Sequence, residues 1–196
     1  MILNFNIVNY CTKFILIFNQ PLFYAGILIY LLIKKKFFEF NKTLHLISIS
    51  TCVNVALKVF FQVPLLPHLG KGYGLPSGHM QAAVVFYGIL LLCIHQKPKT
   101  FAICILGIGF SIIFKNYHTI YDVLAACFVG GMIVSTHQFF NSFTIKKLIV
   151  TITITALCCI YVLIKYPPYH YIIFHFILAM ISGYFLRNLC FKNKDI

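Results

Sequence analysis

The chain has 196 residues, 61% of them hydrophobic and only 10% charged, with a mean hydropathy of +0.91, against the ~45–50% apolar content of soluble domains. A soluble core of this size cannot hide so much apolar surface, so residues 1–196 are read as a single integral membrane domain built of helices, which satisfy their own backbone groups in lipid. The net charge of +13 does not point to nucleic acid, because Lys and Arg are scattered through short loops and form no basic stripe with aromatic platforms.

Apolar runs between charged or Pro/Gly breaks predict helices near residues 14–33, 44–66, 79–95, 100–114, 119–137, 148–165 and 169–186. The expected fold is therefore an all-α, polytopic transmembrane bundle of about six or seven spans. Asn19, Gln20 and Pro21 interrupt the first span, and residues 1–13 also read as an interfacial helix. The N-terminus lacks a basic head and a small-residue cleavage site, so the first span is expected to direct insertion itself. Eight cysteines (Cys11, Cys52, Cys93, Cys104, Cys127, Cys158, Cys159, Cys190) fall in apolar stretches without metal-ligand spacing. They predict buried thiols, not a disulfide framework.

Orientation follows from the loop cations. Lys34, Lys35, Lys36, Lys42, Lys97, Lys99, Lys146, Lys147, Arg187, Lys192 and Lys194 fall on one side of the predicted spans. Lys13, Lys58, Lys71, Lys115 and Lys165 fall on the other. The first group is assigned to the cytoplasm, together with the acidic residues Glu39 and Asp195, so the loops around 67–78 and 115–118 face outward. The expected location is a bacterial inner (plasma) membrane, with the site facing the periplasm or the outside.

That outer level collects the ionisable groups: Lys58, His68, Lys71, His79, Lys115, His118 and Asp122. Charges at membrane depth are costly and mark sites. Pro76-Ser77-Gly78-His79 enters the third span, where Ser77 can cap the helix and Gly78 lets an anion approach the backbone at the positive end of the dipole. The same four residues also read as an ordinary cap followed by an interfacial histidine. His118 and Asp122 are four apart, so a helix there would put them on one face, the carboxylate fixing the imidazole. A structural His/Asp pair tying down the loop fits that spacing as well. Lys58 can snorkel toward the same pocket. Few acidic residues and no H-E-x-x-H or Cys cluster argue against a metal site.

Lys58, then Pro76-Ser77-Gly78-His79, then Ser111 followed by His118, Asp122 and the small apolar run Val123-Leu124-Ala125-Ala126, resemble in order and spacing the type 2 phosphatidic acid phosphatase (PAP2) superfamily. The resemblance covers roughly residues 45–137, the expected catalytic core. It implies His118 as the nucleophile that forms a phosphohistidine, Asp122 as its orienting group and His79 as the acid for the leaving oxygen. Lys58, Ser77 and Gly78 would hold the phosphoryl oxygens, with no metal or other cofactor. Two family arginines are replaced: Leu65-Leu66-Pro67 stands at the first motif, and Ile112 follows Ser111. Lys71 and Lys115 are the candidate compensating charges, as point charges in place of bidentate clamps, and both also read as loop lysines near lipid headgroups.

The function implied is hydrolysis of a lipid phosphate or diphosphate, first among them a polyprenyl diphosphate. The partners are then the lipid substrate and membrane lipids. Two alternatives stand beside it: a PAP2-like protein that binds a lipid phosphate or transfers its phosphoryl group without hydrolysis, and a small transporter.

Overall fold

A computed structural model describes residues 2–136 and 143–192. His137, at the end of the predicted fifth span and core, lies outside the described residues, as do Lys194, Asp195 and the side chain of Cys93.

Among the described residues eight α-helices follow one another: α1 (Ile2–Ile17), α2 (Pro21–Ile33), α3 (Phe37–Phe61), α4 (Gly78–Tyr87), α5 (Pro98–Phe114), α6 (Ile120–Ser135), α7 (Ile145–Lys165) and α8 (Ile172–Lys192). A π-helical stretch, Gly88–Ile94, prolongs α4, and 3-10 turns occupy Pro67–Leu69 and Pro167–Tyr169. Among the described residues the only β pairing is an isolated bridge between Pro64 and Tyr73. The fold is the expected all-α bundle.

By length and composition, α3, α7 and the stretch Pro167–Cys190 can each cross a membrane, while Gly78–Leu92, α5 and α6 are shorter apolar helices. The predicted first span is instead two helices bent by 42°. Pro21 has no N–H to continue the ladder, and side-chain hydroxyls add hydrogen bonds at the break. The Tyr87 hydroxyl donates to the Phe18 carbonyl at 2.6 Å, and the Tyr24 hydroxyl donates to Asn19 Oδ1. Residues of α1 pack along α5.

Lipid-facing and core-facing stripes are distinct. Ile103, Leu106 and Phe110 of α5, and Leu124, Phe128 and Met132 of α6, recur at helical spacing and are 56–73% exposed, which suits a hydrocarbon solvent. Ile108, Ile112, Val123, Ala126 and Val134 turn inward against α4, whose Met80, Gln81 and Ala83 through Tyr87 are all buried. A Cβ at Gly130 would stand 2.8 Å from Val84 Cγ1, so glycine is what lets α6 approach α4 so closely. The cysteines divide differently from the expectation. Cys52 and Cys159 are buried, Cys104, Cys127, Cys158 and Cys190 partly so, and Cys11 is exposed on the apolar outer surface of α1.

The segment between α3 and α4 positions the site. Leu65 N–H donates to Gly72 O at 3.0 Å and Gly74 N–H to Val63 O at 2.8 Å, making a narrow hairpin whose tip carries Gly70 and Gly72 at φ +90° and +142°, values that side chains resist. Tyr73 N–H donates to the Tyr169 hydroxyl at 3.1 Å, and Tyr73, Tyr166 and Tyr169 pack ring against ring. The α7–α8 turn thereby anchors the hairpin over the end of the bundle.

Candidate active site

Three helix ends meet beneath that hairpin. Ser77 is the N-cap of α4, its Oγ accepting from Met80 N–H at 3.4 Å, as the sequence suggested. It is completely buried, and its own N–H donates to the Asp122 carbonyl at 3.1 Å. That bond ties the Pro76-Ser77-Gly78-His79 turn directly to the start of α6, although the two stretches are far apart in sequence. Lys58, in the last turn of α3, brings Nζ to 3.9 Å from the place a Gly78 Cβ would occupy. His79, the second residue of α4, is exposed.

His118 and Asp122 do meet, by a different route from the one expected. His118 is not on a helical face. It precedes Thr119, the N-cap of α6. The Asp122 carboxylate reaches back to accept from Thr119 N–H at 2.9 Å, Thr119 Oγ1 accepts from Asp122 N–H at 3.3 Å, and this capping box brings Asp122 Oδ2 to 3.5 Å from His118 Nδ1. Both side chains are buried, at 8% and 6% exposure. Gly74 of the hairpin passes over the carboxylate, its would-be Cβ 3.7 Å from Asp122 Oδ2.

Burial pushes the His118 imidazole down from 6.5 to about 4; the Lys58 ammonium adds to the effect, and Asp122 opposes it by charge and hydrogen bond. The ring is therefore neutral at pH 7, with Nδ1 toward the carboxylate and Nε2 left as the free lone pair.

Of the two expected compensating charges, Lys115 is engaged by α1. Lys115 Nζ donates to the Asn9 carbonyl at 3.3 Å and to the Asn9 side-chain oxygen, so α1 takes up the charge that stood as a substitute for a family arginine. Lys71 is exposed at the hairpin tip. Ser111 is buried and donates to Gly107 O at 2.7 Å within its own helix. Among the described residues no group of three His, Cys, Asp or Glu side chains converges as a metal site.

Two contributors went unrecognised in the sequence. Asn54, one turn before Lys58, places Oδ1 3.3 Å from the would-be Gly78 Cβ, and Gln81 of α4 bonds to it at 2.9 Å. Polar amides inside apolar spans were the available signal.

A family model described as the PAP2 superfamily matches residues 44–145, more than half of the chain. Neither the curated proteins nor the solved structures yield a match.

Proposed function

The chain belongs to the PAP2 superfamily, and from that premise, which carries phosphatase-type activity on phosphate esters, we propose that it is a membrane phosphatase acting on a lipid phosphate or diphosphate, a polyprenyl diphosphate first, at the outer face of a bacterial inner membrane. The observation that carries the reading is the contact of buried, neutral His118 with Asp122 beside the Ser77-capped start of α4.

In this reading His118 Nε2 attacks phosphorus while Asp122 holds the Nδ1 proton and stabilises the charge that forms on the ring. The P–O bond to the leaving group breaks, and His79 donates its proton to the departing oxygen. Water, deprotonated by His79, then attacks the phosphohistidine, the P–N bond breaks, and phosphate leaves. Lys58 and the N-terminus of α4 face the phosphoryl oxygens, offering a point charge and a helix dipole where negative charge accumulates. No metal enters either step.

The test is phosphate release by detergent-purified protein from polyprenyl diphosphate, phosphatidic acid and phosphatidylglycerol phosphate with chelator present. Chelator-resistant release is expected from at least one. Silence on all three from folded protein would sink hydrolysis and favour binding without turnover, for which the diversion of Lys115 to Asn9 is the observation in hand.

The acid limb of kcat/KM provides a second check. A nucleophile whose pKa is lowered to about 4 stays unprotonated well below the ordinary histidine range, so activity is expected to persist at a pH near 5.5, in the absence of other acid-limb groups. The same sign applies to stability: the contribution from His118 is complete above 6.5 and is lost as pH falls toward 4, because the unfolded chain takes up the proton first. An acid limb of kcat/KM with its midpoint at or above 6.5 would contradict a desolvated His118.

A further inference from the structure

Three polar side chains beside the site have no part in the chemistry described. Ser50 and Asn54 stand one turn apart on α3, and Gln81 lies in the first turns of α4; they are 3%, 6% and 1% exposed. Their hydrogen bonds run in one direction. Gln81 Nε2 donates to the Ser50 carbonyl and to Ser50 Oγ, both at 2.9 Å. A backbone carbonyl only accepts, so this contact obliges Gln81 to present its amide NH2 there and its Oε1 to Asn54. Asn54 Nδ2 then donates to that Oε1 at 2.9 Å and, over 3.4 Å, to the Pro76 carbonyl. Both partners are acceptors, which fixes the second amide as well. Its Oδ1 is left facing Gly78, 3.3 Å from the would-be Cβ, with Lys58 Nζ 3.9 Å from the same place.

We infer that Asn54, held by Gln81 and Ser50, is a positioning residue of the phosphoryl site, fastening the Pro76–Gly78 turn to α3 and presenting an acceptor oxygen beside the Lys58 ammonium. The inference rests on the phosphatase reading for the reaction it serves. Buried amides within membrane helices are costly unless every group is partnered, and apolar residues would pack α3 against α4 without that demand. What the amides add is register. A slide of α4 along α3 by one helical turn, ~5.4 Å, breaks all four bonds, so the network fixes how far Gly78 stands from Lys58. With no arginine at the two family positions, the placement of this single ammonium matters more.

The experiment compares wild type, Asn54→Ala, Gln81→Ala and the double variant as full-length protein in detergent. It measures kcat, KM, thermal unfolding and calorimetric binding of orthovanadate, a pentacoordinate mimic of the reacting phosphoryl group. Each single variant is expected to lose about 10–100-fold in kcat, the scale of a misplaced reacting group, with KM within about threefold. The double variant is expected to be no worse than the poorer single one, since the two residues act as a unit. Vanadate binding should weaken by a similar factor. Asn54→Ala with wild-type kcat and vanadate affinity overturns the inference, and so does a lowered unfolding temperature with unchanged turnover per folded molecule. Should Asn54→Ala not fold, Gln81→Glu, which keeps the volume and loses the donor to Ser50, takes its place under the same criteria. If wild type releases no phosphate, the phosphatase reading fails by itself and vanadate decides: weaker binding by the variant sustains the positioning role, while equal binding, or none by wild type, ends it.

Discussion

Replacing His118 with alanine is expected to lower kcat for phosphate release by at least about 10⁴-fold, the scale at which covalent catalysts fail when the nucleophile is removed. The loss should be chemical, not structural. The cap of α6 is made by Thr119 and Asp122 without the imidazole, and Ser77 N–H reaches the Asp122 backbone oxygen, not the ring, so the helix ends stay joined. A quench experiment adds a second readout. Wild type stopped during turnover of a labelled lipid phosphate should carry an acid-labile, base-stable phosphoryl group, and His118→Ala should carry none. A folded His118→Ala protein with a tenth or more of wild-type turnover would remove this residue from the nucleophile's place and leave His79 as the first candidate.

The second large effect belongs to Asp122→Asn, for which a fall in kcat of about 10³–10⁴-fold is expected, in line with other imidazoles deprived of their orienting carboxylate. The side chain has two jobs here. Its Oδ2 accepts from Thr119 N–H at 2.9 Å and faces His118 Nδ1 at 3.5 Å. Asparagine keeps an oxygen that can cap the helix, so the unfolding temperature should move little. The same oxygen faces Nδ1, so the tautomer is kept, but a neutral amide no longer stabilises the positive charge that forms on the ring as it attacks phosphorus. Asp122→Ala provides the contrast, because it also removes the carboxylate half of the capping box and leaves Thr119 N–H without that acceptor, and should lose both activity and stability. Turnover by Asp122→Asn within tenfold of wild type would mean that the carboxylate serves the helix alone.

Much of the bundle was legible because hydropathy and capping are local. The break at Pro21, the cap at Ser77 and the apolar stripes of α5 and α6 all follow from residues within a few positions of one another. The order Lys58, Pro76-Ser77-Gly78-His79, His118, Asp122 was legible too, as was the meeting of three helix ends at one level, since alternating spans return to the same face. Lys115 shows where such reasoning stops. Its ammonium goes to Asn9, 106 positions away, and nothing periodic in the chain announces which helix a long side chain will meet. The pairing of His118 with Asp122 was anticipated at the correct spacing but on the wrong structure, because i and i+4 neighbours also come together across a capping box.

The sequence by itself therefore determined the solvent, the helices and the chemical groups brought to one end of the bundle, since each depends on composition, period and order along the chain. Only the tertiary structure decided that Ser77 is bonded to Asp122, that α1 takes up Lys115, and that Ser50, Gln81 and Asn54 form a directed chain behind Gly78. Those choices depend on how closely and in what register helices pack, and that is set by contacts such as Gly130 against Val84, whose partners no local pattern connects.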